Sequence, residues 1–237
     1  VEALTADRIA VLRAPIPDPD IDLPEREATV FRLPELPVSI NIGQLEVARI
    51  EIGDHFIGEP VALTVEGAVS LSDGEGFADI RAGRMDGPEG TFAVVGEFDN
   101  ATRQLSLDLR LEEGPDGIVA TRAGIPGTPS VRMAVQGDGP IDDFTADITV
   151  ASDGTERIAG TFEVATRRPP PAEDGTVQSA EREFGLDVSG DVTALVAPEF
   201  GPFFGDEVAL QANATLAADG SVDVPEFSLQ AAAIGIT

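Results

Sequence analysis

Stretches of alternating apolar and polar residues run along most of the chain. In residues 61–71 the odd positions are apolar and the even ones are small or polar. This period of two is typical of a strand with one buried face. The links between such stretches are short, so sequential strands are predicted to be antiparallel neighbours. The predicted strands cover residues 38–52, 61–71, 76–82, 91–98, 104–111, 130–137, 144–151, 157–165, 182–190, 207–217 and 222–233.

Asp-Gly pairs separate many of these stretches, and tight hairpin turns need the positive φ angles that such pairs adopt readily. We therefore predict turns at Asp-Gly. The pairs occur at 73–74, 86–87, 116–117, 138–139, 153–154, 174–175 and 219–220.

The remaining segments predict connections and two short helices. Residues 14–37 carry six prolines and indicate a linker that crosses the surface. Residues 167–178 indicate a flexible loop inserted between strands. Short helices are predicted over residues 117–124 and 194–204, and the whole chain, 1–237, is interpreted as one continuous β segment.

The charge of the chain is strongly negative. It has 43 acidic and 15 basic residues, all of the latter arginine, and a net charge of -28. Binding to nucleic acid or to an anionic membrane through charge is therefore disfavoured. The chain has no cysteine, which excludes disulfides and thiolate chemistry. Because it begins at Val1 without an initiator Met or a signal peptide, we expect it to be a segment of something longer.

Candidate chemistry is scarce, so we expect no enzyme, no cofactor and no metal. The only histidine, His55, lies in a predicted turn and is interpreted as a solvated loop residue. Asp18, Asp20 and Asp22 have the initial spacing of a calcium loop, but the final ligand position is Thr29 rather than glutamate. Asp142-Asp143 is interpreted as a solvated turn. No nucleophile lies beside a base in sequence, and no lysine is present for a phosphate loop.

The apolar face of the predicted strands remains the main candidate for function. Burial of each aliphatic residue contributes about 1.5–3 kcal/mol, so this face must be covered. In a packed sandwich or barrel, the apolar face would pack against itself and form a closed core. Alternatively, an open trough would hold acyl chains, which the aliphatic lining and the long strands favour. The predicted lining residues are Val61, Leu63, Val65, Val69, Leu71, Phe92, Val94, Leu105, Leu107, Leu109, Leu111, Val131, Met133, Val135, Phe144, Ile148, Val150, Ile158, Phe162, Val164, Leu186, Val188, Val208 and Leu210.

An ordered set of short motifs resembles the TamB family of the AsmA-like superfamily, in particular its alphaproteobacterial members. One motif is Leu-Pro-Glu-Leu-Pro-Val at 33–38, which resembles the entry into the family's sheet. The other matching segments are 4–9, 11–15, 58–60, 66–68, 73–76, 84–88, 98–105, 137–144 and 202–205.

This resemblance implies an all-β fold: a long antiparallel meander curved into a U-shaped β-taco with an apolar interior. It also implies passage of phospholipid acyl chains between the inner and outer membranes. The chain would be an N-proximal periplasmic segment, tethered to the inner membrane in the full-length protein. The family's partner is the outer-membrane barrel protein TamA, which would bind a C-terminal part that this chain lacks.

Two other functions fit the same pattern. A scaffold or chaperone-like β-protein could guide outer-membrane strands by β-augmentation at an open sheet edge. An adhesin-like or calcium-stabilised β-domain is the other alternative.

Overall fold

The strands of this protein form one large sheet. The computed structural model describes residues 2–11, 31–167, 180–217 and 220–236. The strands are β1 (Ala3–Ala6), β2 (Ile9–Val11), β3 (Ile40–Ile52), β4 (Val61–Ser72), β5 (Glu75–Arg84), β6 (Gly90–Asp99), β7 (Gln104–Glu113), β8 (Val131–Pro140), β9 (Asp143–Ser152), β10 (Thr155–Arg167), β11 (Glu181–Gly190), β12 (Val208–Leu216), β13 (Val222–Ala231) and β14 (Ile234–Ile236).

From β3 to β14 each strand pairs with the next in the chain, antiparallel throughout. The order does not close on itself: β1 and β2 lie at one edge and β14 at the other. The predicted antiparallel meander, curved around an apolar interior, is thereby confirmed. The prediction of one strand over 222–233 needs a small correction, since β13 ends at Ala231 and β14 follows a tight turn.

The first two strands depart from the antiparallel rule. Both β1 and β2 pair with β3 in parallel. The chain between Val11 and Ile40 is long enough to return to the same end of the sheet, as a parallel pair requires.

Two register shifts in β3 keep its apolar residues on one side. They fall between Ile42 and Leu45 and between Val47 and Ile50. At each shift the apolar spacing changes from two residues to three, and the bulge absorbs the extra residue. The strand therefore keeps one apolar face despite its broken alternation.

Two Asp-Gly pairs form the tight hairpins expected of them. Asp73 and Gly74 have φ of 52° and 82°, and Asp153 and Gly154 have φ of 47° and 76°. Positive φ at both central residues matches the right-handed twist of the flanking strands.

Other Asp-Gly pairs do not form such turns. The pair at 138–139 lies inside β8 and continues the ladder, so the turn predicted there is wrong. The pair at 86–87 lies in the longer link between β5 and β6, and Gly117 is the residue before a helix. A polar dipeptide is thus compatible with a strand when the apolar alternation continues through it.

Three short α-helices occur among the described residues: α1 (Asp54–Ile57), α2 (Ile118–Ala123) and α3 (Gly201–Phe204). The predicted helix over 117–124 corresponds to α2. The one over 194–204 is shorter than predicted, with a 3₁₀ turn at Pro198–Phe200 leading into α3. The single turn α1 was not predicted, and it contains His55, whose side chain is exposed.

The strand ends define two rims of the curved sheet. One, here called the turn rim, carries the links after β4, β6, β8, β10 and β12. The other, here called the helix rim, carries α1, α2 and α3, which lie after β3, β7 and β11. All three helices therefore lie at the same rim.

Some sequence predictions lie outside the described residues. They are most of the proline-rich segment 14–37, the loop 167–178 apart from Arg167, the Asp-Gly pair at 174–175 and the calcium-like run that begins at Asp18.

Candidate functional site

The candidate site is the apolar face of the sheet. The ladder register places all 24 residues that were predicted as lining on this one face. Directly paired residues of neighbouring strands point to the same side of a sheet. One continuous row across nine strands illustrates this: Ile80, Val94, Leu109, Val135, Ile148, Gly160, Val188, Leu210 and Leu229.

The same register adds residues that were not predicted as lining. They share the period-2 phase of their strands, which is the signal that could have identified them. Those on β3 were harder to find because its bulges interrupt the phase. The added residues are Ile40, Ile42, Leu45, Val47, Ile50, Ile52, Ile80, Phe98, Phe184, Phe227 and Leu229.

Most of this face is only half-buried. Few of its side chains are fully enclosed, among them Val61, Phe98 and Phe144. Phe92 retains 36% exposure and Phe227 retains 45%. In a sandwich or closed barrel the second layer would bury such residues almost fully. The face is therefore lined with aliphatic groups but left open.

Glycines on the apolar face allow neighbouring strands to approach closely. A Cβ on Gly67 would lie 2.1 Å from the carbonyl oxygen of Asp79, and one on Gly160 would lie 2.0 Å from that of Asp187. Neither site can accept a side chain without displacing the adjacent strand. Glycine within a strand commonly marks such an approach or a bend.

A short segment of the chain crosses the turn rim. The side-chain amide of Asn100 donates to the Leu33 carbonyl at 2.9 Å, and its oxygen accepts from the Leu33 N–H at 2.8 Å. Phe31 packs edge-on against Phe98, with ring centroids 5.1 Å apart. We call residues 31–33 the strap. It covers part of the face and accounts for the burial of Phe98.

The helix rim contains a small closed core. Ala120 of α2 is fully buried and packs with Ile125 and Val131, beside Met133 and Leu195. The carboxylate of Glu113 accepts a hydrogen bond from the Val119 N–H at 2.8 Å, which satisfies a donor of the first turn of α2. These contacts fix α2 over the end of the trough.

Arg84 is a charged residue on the apolar side near the same rim. Its guanidinium contacts Asp86 at 3.0 Å and Glu59 at 3.2 Å, and the side chain is only 9% exposed. The pKa of Asp86 is lowered: burial raises it, but hydrogen bonds from Arg84 and from the Ala62 N–H outweigh that effect. Arg84 thus ties together the links that flank β4 and β5.

A largely apolar cavity lies where β7 to β11 meet the turn rim. Its volume is about 410 Å³. Leu107, Val135, Ala146 and Phe162 contribute to its walls, and Phe31 of the strap closes one side. The apolar face is therefore concave here, with space for a hydrocarbon group.

The opposite, convex face is polar and charged. Exposed ion pairs follow its strands, such as Arg110 with Asp108 at 2.6 Å and Arg132 with Glu112 at 2.9 Å. Pairs at such exposure add little stability, about 0–1 kcal/mol each. They keep this side hydrated, so the two faces differ sharply in chemistry.

Within the described residues, no group of three or more His, Asp or Glu side chains is arranged to hold a metal ion. Asp142 of the predicted solvated turn instead pairs with Arg103, an interaction that the sequence analysis missed. In the same part of the chain, no helix combines the length and apolar character needed to cross a bilayer.

The comparisons with known proteins found no similarity for this chain. No protein-family model, curated protein or solved structure matches it significantly.

Proposed function

We propose that this chain is a segment of a periplasm-spanning lipid conduit, which passes phospholipids between the inner and outer membranes during outer-membrane biogenesis. Acyl chains would lie on the apolar face while headgroups stay in water along the open side. The observation that supports this most is the continuous aliphatic face, which is half-exposed and belongs to a sheet that does not close.

The mechanism is passive. Each methylene group that leaves water for an apolar surface contributes about 0.8 kcal/mol, so a chain binds without any polar pairing. The lining changes little from strand to strand, so a chain can move along it without a large barrier. No catalytic group takes part in this mechanism.

The resemblance to the TamB family supports the same proposal and supplies its cellular setting. The segment would lie in the periplasm, tethered to the inner membrane through the full-length protein. The partner TamA would be engaged by another part of that protein. The convex face, with its exposed carboxylates, suits an aqueous compartment.

Photocrosslinking from adjacent residues tests the proposal. A benzophenone amino acid replaces Phe162, which lines the cavity, or Thr161, which lies on the convex face of the same strand. Phospholipid should crosslink at Phe162 and not at Thr161. Equal crosslinking at the two positions, or none at Phe162 in a folded variant, would contradict lipid binding in the trough.

A second candidate function is a scaffold for outer-membrane protein assembly. It rests on the outer edge of β13, where β14 pairs only with Leu229–Ala231. In the part of the chain that the structure describes, residues 222–228 have no partner strand on that side. A client strand could add there by β-augmentation. Pro225 weakens this edge because it cannot donate to a ladder.

Hydrogen exchange separates the two functions. A peptide from an outer-membrane protein strand would protect the amides of residues 222–228, other than Pro225, which has no N–H, if the scaffold function holds. Under the conduit proposal those amides exchange at the same rate with and without peptide, while lipid crosslinks at Phe162.

A further inference from the structure

Strands β7 to β9 end very differently at the two rims of the apolar face. At the helix rim, Ala120 of α2 packs with Ile125 and Val131, and all three are buried. The buried Glu113 carboxylate at this end is already bonded to the Val119 N–H, at 2.8 Å. The polar end of a ligand would lose its water here, which is unfavourable without new hydrogen bonds.

The turn rim of the same strands is polar and partly hydrated. The cavity of about 410 Å³ is lined there by Arg103, Asp142, Thr166 and Arg182, and we call these four residues the mouth. The Asp142 side chain retains 41% exposure, so water reaches the mouth. A polar group can therefore lie at this end and keep much of its hydration.

The cavity becomes apolar and buried a short way from the mouth. On β9, Phe144 is 6% exposed and Ala146 is 1% exposed. On β10, Val164 pairs with Phe144 and Phe162 pairs with Ala146, and all four line the cavity. From Thr166 to Phe162 the distance is roughly 13 Å at ~3.3 Å per residue. A hydrocarbon chain along these strands would thus pass from a hydrated mouth to buried apolar walls.

The charged groups of the mouth are engaged within the protein. Arg103 donates two hydrogen bonds to the Asp142 carboxylate, the one from Nη2 at 2.8 Å. The Thr166 hydroxyl also donates to Asp142, at 3.2 Å, and Arg182 has a partner of its own. The mouth therefore offers a polar, hydrated surface to a ligand, and its attraction does not depend on an unpaired charge.

We propose that this cavity is a site for one acyl chain, which enters at the turn rim and keeps its polar end at the mouth. The chain lies along β9 and β10, with its methyl end directed toward the helix rim. Phe31 of the strap closes the side next to Phe98 of β6, which favours a path along the strands. The inference rests on the proposed function and adds which rim faces the headgroups.

The chemistry of the site selects the hydrocarbon chain. The volume lies within the roughly 300–1,000 Å³ range of small-molecule pockets, and the walls away from the mouth are aliphatic or aromatic. The headgroup stays hydrated outside them. A single-chain lipid with a zwitterionic headgroup is therefore a suitable probe, because the net charge of -28 does not repel it as it would an anion.

Photolabelling with two versions of one lipid tests the orientation. The probe is a lysophosphatidylcholine below its micelle concentration, with a diazirine either in the headgroup or near the methyl end of the acyl chain. On native protein, the headgroup version should label residues 141–143 at the turn rim. The chain-end version should label residues 133–135 and 158–162, which lie further along the strands. Peptide mapping by mass spectrometry distinguishes these regions.

A filled cavity provides the second arm. Ala146→Leu places a larger side chain between the walls and should remove most of the labelling of these regions by both versions. Thr145→Leu is the matched control, because Thr145 is exposed on the convex face of the same strand, and labelling should be unchanged. If Ala146→Leu fails to fold, Val164→Phe narrows the same cavity nearer the mouth and should have the same effect.

Three outcomes would overturn the inference and leave the conduit intact. One is the reverse pattern, with chain-end label at residues 141–143 and headgroup label further along the strands. Another is the same distribution of label for both versions, as expected for a chain that lies across the strands. The third is labelling that survives in a folded cavity-filling variant. No labelling of the apolar face by either version would contradict the proposed function as well.

Discussion

At the residue scale, small residues and turn carboxylates shape the sheet. Glycines on the apolar face mark where strands approach closely, as at Gly160, whereas a Cβ on Gly96 would make only an ordinary contact, 3.8 Å from the Ser106 carbonyl oxygen. Asp99 organises the turn after β6 through the Thr102 hydroxyl at 2.8 Å and the Ala101 N–H at 2.7 Å. Asp99 lies at a turn away from the lining residues, so it tests the fold independently of ligand binding.

The first prediction compares two glycines on the same face. Gly160→Ala should lower the free energy of unfolding by about 1–3 kcal/mol, because the new Cβ overlaps the backbone of β11. Gly96→Ala should be neutral or raise it by about 0.5 kcal/mol, since its Cβ has no neighbour closer than 3.8 Å. Urea denaturation measures both. Equal changes in the free energy of unfolding for the two variants would contradict the close approach of β10 and β11 at Gly160.

The second prediction concerns the pKa of Asp99. Hydrogen bonds from the Thr102 hydroxyl and the Ala101 N–H lower this pKa below the ordinary 3.8. Stability from these bonds is therefore present above pH 3.8 and is lost as pH falls through the lower folded-state pKa. Thr102→Ala should raise the pKa of Asp99 towards 3.8, and the stability difference from native protein should shrink as the pH falls below that value.

A carboxyl-detected NMR titration measures this shift. Asp191, whose pKa is lowered chiefly by its own bond from the Thr193 hydroxyl, should titrate unchanged in the same variant. If the pKa of Asp99 is the same in Thr102→Ala as in native protein, the hydrogen bond from the Thr102 hydroxyl to Asp99 is contradicted.

At the element scale, the strap and the helices decide how much of the trough is covered. The strap covers the turn rim near Phe98, and α2 covers the helix rim. Between them the apolar face of the described strands stays half-exposed. The strap is held chiefly by one side chain, Asn100. Its amide exchanges two hydrogen bonds with the backbone N–H and C=O of Leu33, in the way that a residue of a neighbouring strand would.

The third prediction removes that anchor. Asn100→Ala deletes two hydrogen bonds and should lower the free energy of unfolding by about 1–2 kcal/mol. Exchange of the Leu33 amide should become faster. Asn213→Ala, which removes an exposed bond to Glu226 on the convex face, is the control and should leave that exchange unchanged. A Leu33 amide that stays equally protected would contradict the role of Asn100.

Sequence periodicity predicted most of the elements but not their special features. The alternation in β7 predicts both the strand and its inward leucines, because each residue faces a fixed side. It does not predict the bulges of β3 or the parallel return of β1, which depend on distant pairing. Nor does it predict the Arg103–Asp142 pair, which joins two separate turns of the rim.

At the scale of the whole molecule, the central feature is an open sheet with two chemically different faces. Its ordered path of neighbouring strands spans roughly 60 Å at ~4.8 Å per strand. The net charge of -28 keeps the convex side soluble and disfavours self-association. Among the described residues no second layer covers the aliphatic side, so on this account lipid chains provide the cover.

The most direct test is lipid retention by a matched pair of variants on β8. Val135 lines the cavity, whereas Ala134 lies on the convex face and is paired with Arg110. Native protein and Ala134→Glu, purified from cells, should both carry phospholipid that extraction and mass spectrometry detect. Val135→Glu should lose it while keeping the β-sheet circular dichroism spectrum. Equal retention in the two variants, or no lipid on native protein, would contradict the account.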